Sequence, residues 1–341
     1  MENQEILLEV KNLRTYFMLD EGTVKAVDGV DFTVRRGTTI GIVGESGCGK
    51  SVTAMSILQL IDKPGRIVEG EILLNRGGAD GITDLAKLSP GSMEMRMVRG
   101  DSIAMIFQEP MNSLSPVHTI GNQIIEAIEL HRQMSKEDAR NHAIEVLRLV
   151  GIPKPETRID AYTFQLSGGM RQRAMIAMAL SCNPLLLIAD EPTTALDVTT
   201  QAQILELMKG LQNQMGMAVM LITHDLGVVA ETCREIVVMY LGEVVEQSDV
   251  DSLFHDPKHP YTQALLRSIP RLGAGRTQQL NPIEGAVPDP FNRPTGCPFH
   301  PRCDQFMAGK CDVIHPDLIR LSDGRAVRCL LYETEGADHH G

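Results

Sequence analysis

The chain has 341 residues, of which 43% are hydrophobic, and this length accommodates one large α/β domain with an appended module, or two domains. Its net charge of −12 and its lack of tryptophan argue against a basic nucleic-acid-binding protein and against a base-stacking surface. No stretch reaches the ~20 apolar residues of a membrane-spanning helix, and the acidic start lacks the features of a secretory signal, so we expect a cytoplasmic protein.

Short apolar runs alternate with helical patterns along the chain, which is typical of a wound α/β sheet. Runs at residues 6–10, 30–34 and 71–74 predict strands of an antiparallel edge. More uniformly apolar runs predict buried parallel strands at residues 39–43, 103–107, 185–189 and 218–222. The second and third of these enclose amphipathic helical patterns, so we expect a helical subdomain at about residues 101–182.

A linker rich in proline and glycine runs from Pro270 to Pro294. It separates most of the chain from a tail that holds four of the seven cysteines. We therefore expect a core domain followed by a small cysteine-rich C-terminal module.

The first chemical motif follows the predicted strand 39–43 and precedes a helical pattern. Its members are Gly44, Glu45, Ser46, Gly47, Cys48, Gly49, Lys50 and Ser51. Glycines in this context let main-chain N–H groups surround phosphates, and the helix N-terminus adds partial positive charge. Lys50 is expected to contact the β- and γ-phosphates, and the Ser51 hydroxyl to bind Mg²⁺.

Two adjacent carboxylates, Asp190 and Glu191, follow the buried strand 185–189. The carboxyl edge of a parallel sheet is where ligands bind. We expect Asp190 to accept a Mg²⁺-bound water and Glu191 to orient or deprotonate an attacking water. An acidic turn before Pro192 is the alternative.

Three further polar positions complete the pattern. Ser167, Gly168 and Gly169 predict a capped helix start at which an anion can approach free N–H groups, with a plain capped helix as the alternative. Gln108 follows a predicted strand and is a candidate Mg²⁺ or water contact. His224 follows another and is a candidate γ-phosphate contact.

In this order and spacing, the motifs resemble those of the ATP-binding cassette (ABC) ATPases. The matching segments are residues 44–51 (Walker A), Gln108 (Q-loop), 166–170 (signature), 190–191 (Walker B), 195–197 with Asp197 (D-loop) and His224 (H-loop). The signature ends in Met170, where many family members have glutamine. Phe17, with Tyr16 as its alternative, matches the aromatic residue that stacks on adenine.

The resemblance spans residues 1–255 and implies a RecA-like P-loop NTPase core with an antiparallel β subdomain and a helical subdomain. It leaves residues 256–341 as the C-terminal module. It also implies ATP and Mg²⁺ as cofactors, with Glu191 and His224 as catalytic residues. Two such cassettes are expected to pair head to tail, so that Ser167 and Gly169 of one complete the site begun by Lys50 of the other.

Segments outside these motifs resemble the ATP-binding subunits of bacterial dipeptide and oligopeptide importers. They are residues 26–30, 104–114, 190–199 and 259–266, together with the cysteine-bearing tail. The resemblance implies a peripheral subunit on the cytoplasmic face of the inner membrane that energises peptide import. Its implied partners are two membrane permeases, a paralogous second ATPase (or a second copy of this chain) and, indirectly, an extracytoplasmic peptide-binding protein. Nucleic acid is not among them.

Two other functions compete with peptide import. Importers of nickel or of another small solute lie close in sequence to this branch. A soluble ABC-type ATPase of DNA repair or translation is the second alternative, which the acidic balance and the single cassette disfavour.

The tail carries Cys297, Cys303, Cys311 and Cys329, separated by five, seven and seventeen residues. Four thiolates suit a [4Fe–4S] cluster, whose spacings vary. They also suit zinc, although the usual short Cys-x₂₋₄-Cys knuckle is missing. Four reduced thiols are the third possibility. The resemblance favours the cluster, and His300 or His315 could replace one ligand.

Overall fold

The computed structural model describes residues 5–78, 81–108, 114–194, 196–269 and 283–333. The strands are β1 Ile6–Leu19, β2 Gly22–Arg35, β3 Thr39–Val43, β4 Gly65–Asn75, β5 Ile82–Asp84, β6 Ile103–Ile106, β7 Leu186–Asp190, β8 Ala218–Ile222, β9 Glu235–Tyr240, β10 Glu243–Asp249, β11 Ile319–Arg320 and β12 Ala326–Val327. The helices are α1 Lys50–Ile57, α2 Met93–Met97, α3 Ile120–His131, α4 Lys136–Leu149, α5 Pro155–Arg158, α6 Gly168–Leu180, α7 Val198–Met215, α8 Leu226–Thr232, α9 Val250–His255 and α10 Pro260–Arg267.

The described residues form two compact units. The first comprises those within Met1–Leu8, Val34–Thr39 and Leu74–Ile222. The second comprises those within Glu9–Thr33, Ile40–Leu73 and Thr223–Gly341. The phosphate-binding loop and the C-terminal cysteines therefore belong to one unit, while both adjacent carboxylates and the signature motif belong to the other.

In the first unit, β6, β7 and β8 pair in parallel, with Ile103 opposite Leu186 and Leu186 opposite Ala218. Both β7 and β8 are fully buried, as their uninterrupted apolar sequences predict. Helices α3, α4 and α6 pack against one another between β6 and β7 in the chain. These helices lie within residues 101–182, where the sequence predicts a helical subdomain.

In the second unit, β3 pairs in parallel with β9, and β9 pairs antiparallel with β10. The short strand β12 extends this sheet by pairing with β10, and β11 pairs with β12. A separate sheet contains β2, β1 and β4 in that order. Only Asp20 and Glu21 separate β1 from β2, which is the connection of an antiparallel pair.

Several elements differ from the sequence-based predictions. The predicted runs at residues 6–10, 30–34 and 71–74 lie inside the longer strands β1, β2 and β4, because their half-buried pattern continues beyond each run. Strands β9 and β10 were not predicted. The cysteine-bearing tail does not form a compact module of its own, since Phe299 packs among the rings of Tyr240 and Tyr261 within the second unit.

Some predicted features lie outside the described residues: 109–113 after Gln108, Ala195 of the D-loop segment, and the linker from Pro270 to residue 282. Within the part of the chain that the structure describes, no helix is both long enough and apolar enough to cross a bilayer.

Candidate nucleotide-binding and hydrolysis site

The predicted phosphate-binding loop connects the buried strand β3 to the N-terminus of α1. Gly44 and Gly49 have φ angles of 152° and 99°. A Cβ atom on Gly44 would lie 2.2 Å from the Met239 carbonyl oxygen, and one on Gly49 would lie 2.2 Å from the Ala26 carbonyl oxygen. Both positions therefore require glycine for conformation and for space.

Lys50 begins α1 and is only 6% exposed. Its Nζ donates hydrogen bonds to the main-chain oxygens of Gly44, at 2.8 Å, and Glu45, at 2.9 Å. The ammonium group therefore lies over its own loop, where charge-assisted contacts to phosphate oxygens are available. The buried Cys48 thiol lies 3.6 Å from Nζ, and burial raises its pKa.

Glu45 receives two contacts from the C-terminal half of the second unit. Its main-chain N–H donates to the Tyr261 hydroxyl oxygen at 2.8 Å. Its carboxylate accepts two hydrogen bonds from the Arg302 guanidinium, at 2.7 and 3.1 Å. Neither contact was predicted from the sequence, because the partners lie 216 and 257 residues away and belong to no motif.

The adjacent carboxylates stand at the carboxyl end of β7, as predicted. Asp190 is the last strand residue and is 2% exposed. Glu191 has a positive φ of 46°, and its Oε2 accepts hydrogen bonds from Gln108 Nε2 and Thr194 Oγ1, each at 2.9 Å. A non-glycine residue in this conformation is typical of a functional turn. Gln108 and Glu191 are thus brought together, and Thr194 is a contact that the sequence did not reveal.

His224 is exposed and follows Thr223, whose N–H donates to the Ile42 carbonyl oxygen of β3. The strand before the phosphate-binding loop and the chain leading into His224 are therefore direct neighbours. This places His224 beyond the carboxyl end of β3, the position expected for a phosphate contact.

Ser167 is the N-cap of α6, and its hydroxyl accepts a hydrogen bond from the Met170 N–H at 3.4 Å. Ser167 and Gly168 are exposed, and no atom of another described residue lies within 4 Å of a Cβ placed on Gly168. The helix N-terminus therefore faces open space, as an anion site requires. Gln172, buried one turn later, donates to the Pro192 carbonyl oxygen and ties α6 to the turn after Glu191.

Asp197, a predicted nucleotide contact, is the N-cap of helix α7. Its carboxylate caps the helix by accepting hydrogen bonds from the N–H and the hydroxyl of Thr200. The hydrogen bond from the Thr200 hydroxyl is the main reason that the pKa of Asp197 is lowered.

The predicted adenine contact is Phe17 or its neighbour Tyr16. Phe17 is half-buried, whereas the Tyr16 hydroxyl donates to Asp28 at 2.6 Å and Lys25 lies over the Tyr16 ring. Since Tyr16 is engaged in this way, Phe17 is the better candidate for adenine.

The four tail cysteines line one small cavity, together with His259, Phe299 and His300. Burial raises the pKa of Cys297 to about 12 and that of Cys329 to about 11, so these thiols are protonated at neutral pH. His315 lies on Glu243, at 3.0 Å, rather than in the cavity lining.

No three or more His, Cys, Asp or Glu side chains among the described residues are arranged to hold a metal ion. The predicted [4Fe–4S] cluster and its zinc alternative are therefore not supported by the described arrangement of side chains. None of the seven cysteines, all of which are described, forms a disulfide bond.

Comparison with known proteins supplies the family. Residues 27–194 match the family model described as ABC transporter, and residues 245–311 match the one described as oligopeptide/dipeptide transporter, C-terminal region. The oligopeptide transport ATP-binding protein AppD of Bacillus subtilis is 51% identical over 97% of this chain and 98% of its own length. This chain belongs to the oligopeptide/dipeptide branch of the ABC transporter family. It is accordingly an ABC-type ATPase.

Other relatives agree with this placement. The dipeptide transport ATP-binding protein DppD of Escherichia coli is 48% identical over 95% of this chain and 96% of its own length. A solved dimeric structure of the ATP-binding cassette MJ0796, in a post-hydrolysis state bound to ADP and Pi, has a TM-score of 0.62 and 28% identity. The structural match covers 72% of this chain and 99% of the MJ0796 chain, and it confirms the ABC ATPase fold.

Proposed function

We propose that this ABC ATPase energises the import of dipeptides or oligopeptides across the cytoplasmic membrane. The hydrolytic part of the proposal depends on one observation, the Glu191 carboxylate held by Gln108 and Thr194 beside the buried Asp190. The substrate class is supported by the C-terminal match to peptide transporters and by the relatives' names. Import of nickel has no comparable support.

Each site residue receives a role within this proposal. Main-chain N–H groups of the loop 44–51 and the Lys50 ammonium bind the phosphates, and Phe17 stacks on adenine. Ser51, Gln108 and Asp190 supply the oxygen ligands that Mg²⁺ prefers. Glu191 accepts a proton from the attacking water, while His224 donates a hydrogen bond to the γ-phosphate and Asp197 borders the site.

The exposed signature motif implies a second cassette. Ser167 and Gly168 at the N-terminus of α6 are exposed, which supports an anion site at this end of the helix. We assign this site to the nucleotide held by a paired ATPase, a paralogue rather than a second copy of this chain. Closure of the pair over ATP and reopening after hydrolysis would then drive transport.

The partners follow from the same assignment. Two permeases are proposed to receive the cassettes at the cytoplasmic face, with the helical part of the first unit as their docking region. A peptide-binding protein outside the membrane acts indirectly. Residues 1–255 are proposed as the cassette, and residues 256–341 as its C-terminal extension.

The four-cysteine cavity remains the proposed location of an iron–sulfur cluster, with zinc as the alternative. Four thiol donors lining one cavity support this proposal. Binding would have to draw the thiols together and deprotonate them, because the described arrangement does neither. Iron, sulfide and zinc analysis of chain purified without oxygen tests it, and metal-free protein would contradict it.

Replacing Glu191 by glutamine tests the hydrolytic assignment. Glu191→Gln keeps the hydrogen-bond acceptor for Gln108 but removes the base, so we expect turnover of the full-length ATPase to fall about 10²-fold or more. ATP binding is expected to persist. Glu206→Gln, an exposed change on α7, serves as the control. Unchanged turnover in Glu191→Gln would exclude this role.

A further inference from the structure

Arg302 lies in the C-terminal segment, residues 256–341, and its guanidinium makes several polar contacts. It ends a 3₁₀ turn, His300–Arg302, and its side chain is only 3% exposed. Besides its two bonds to Glu45, its Nε donates to the Glu284 carbonyl oxygen at 3.0 Å and its Nη1 lies 3.4 Å from the Tyr240 hydroxyl. The guanidinium is thereby fixed in position and aimed at one carboxylate.

That carboxylate belongs to the phosphate-binding loop itself. Glu45 is held through three different groups: its side chain by Arg302, its N–H by Tyr261, and its carbonyl oxygen by Lys50. Tyr261 is completely buried, so these anchors belong to packed structure. The conformation of the loop at this residue is therefore coupled to the C-terminal segment.

The negative charge of Glu45 affects how the loop binds nucleotide. A carboxylate on the loop repels the phosphates that the loop must bind, and the repulsion is strong where water is partly excluded. A bidentate arginine neutralises the carboxylate and fixes its direction. A lysine in that place would supply the charge but not the planar two-point contact.

We propose that Arg302 is a positioning residue for ATP, which acts through Glu45 by neutralising its carboxylate and holding the phosphate-binding loop in its binding conformation. The proposal rests on residues 44–51 being the nucleotide loop. It makes the C-terminal segment part of the nucleotide-binding apparatus without any contact between Arg302 and the nucleotide.

The test uses full-length chain, binding of the fluorescent nucleotide mant-ATP, and the kinetics of ATP hydrolysis. For Arg302→Gln we expect mant-ATP affinity to fall about tenfold and the KM for ATP to rise in parallel, with kcat within about twofold. Arg302→Lys is expected to lie between Arg302→Gln and the unmodified chain. Arg267→Gln, which breaks the exposed pair of Arg267 with Asp304 in the same segment, should bind normally.

The Glu45→Gln variant distinguishes two effects of Arg302. One is neutralisation of the Glu45 carboxylate, and the other is attachment of the C-terminal segment to the phosphate-binding loop. Adding Glu45→Gln to Arg302→Gln should restore most of the affinity, because the repelling charge is gone. Glu45→Gln alone should bind mant-ATP at least as tightly as the unmodified chain. If Arg302→Gln does not fold, normal mant-ATP affinity in Arg302→Lys would by itself overturn the proposal.

Two results would overturn the proposal: normal affinity in both Arg302 variants, or a double variant as weak as Arg302→Gln alone. Lys50→Ala separates these failures from failure of the loop assignment itself. If Lys50→Ala also bound mant-ATP normally, the loop would not be the nucleotide site. If only Lys50→Ala lost binding, the role of Arg302 alone would be wrong.

Discussion

Lys50 illustrates how a single side chain prepares the phosphate-binding loop. Its ammonium donates hydrogen bonds to two carbonyl oxygens of the same loop, those of Gly44 and Glu45. Phosphate oxygens are stronger acceptors for an ammonium than neutral carbonyls are. In the proposed nucleotide-binding role, phosphate oxygens would therefore be stronger hydrogen-bond partners for Lys50 than these two carbonyl oxygens are.

The first prediction concerns this residue. Lys50→Ala should weaken mant-ATP binding by at least about tenfold, since it removes charge-assisted contacts to the phosphates. Fluorescence titration measures the affinity, and Lys136→Ala at the exposed start of α4 is the matched control. Equal affinity in the two variants would contradict the assignment of the loop.

The sequence was sufficient to locate residues whose position depends on local spacing, while the functions assigned to them stay predictions. Glu191 follows a buried strand directly and the loop glycines precede a helix, so short patterns identified both. The partners of Glu45 could not be found in this way, because Tyr261 and Arg302 come from distant parts of the chain. Thr194 lies close to Glu191 but resembles any other turn residue.

At the level of secondary structure, the N-terminus of α10 contains a buried histidine next to a buried carboxylate. The buried Glu246 carboxylate accepts the N–H groups of Lys258 and His259, at 2.7 and 2.8 Å. His259 is the helix N-cap, and its Nδ1 accepts the Tyr261 N–H at 3.0 Å. Burial lowers the pKa of His259 to about 3, so the ring is neutral in the folded chain.

The second prediction follows from this pKa. Between pH 6.5 and about 3 the unfolded chain binds a proton at His259 that the folded chain does not, so this residue lowers the free energy of unfolding as pH falls. The slope approaches about 1.4 kcal/mol per pH unit. His259→Asn keeps an N-cap acceptor but cannot titrate, so its urea-unfolding free energy should fall less steeply from pH 6.5 to 5. Identical slopes would show that His259 is protonated in the fold.

Strand prediction succeeded where an element is uniformly apolar. The predicted runs at 39–43 and 218–222 coincide with β3 and β8, which are buried throughout. Strand β10 is also mostly buried, but its sequence carries Glu243 and Glu246. These carboxylates are compensated by Arg293, His315 and the start of α10, partners that only the tertiary structure supplies.

Across the whole molecule, the C-terminal segment is part of the unit that holds the phosphate-binding loop. Phe299 is 2% exposed, and its ring lies 5.3 Å from those of both Tyr240 and Tyr261. Loss of a buried phenylalanine alone costs about 3–5 kcal/mol, a large part of the stability of an ordinary domain.

The third prediction is that a chain ending at residue 255 is much less stable than the full chain. It lacks Tyr261, Phe299 and Arg302, so the apolar surface around Tyr240 is left uncovered and the loop loses its anchors. Urea unfolding measures the difference, and Phe299→Leu in the full chain should give a smaller loss in the same direction. A truncated chain as stable as the full one would show that the segment contributes nothing to this unit.

Transport itself tests the central claim most directly. We would reconstitute the complex purified from its own membranes through this chain, add its peptide-binding protein, and measure ATP-driven uptake of a labelled dipeptide into proteoliposomes. The account predicts uptake that requires ATP and is lost in complexes carrying Glu191→Gln. Uptake of nickel without dipeptide, or dipeptide uptake that persists in the Glu191→Gln complex, would contradict it.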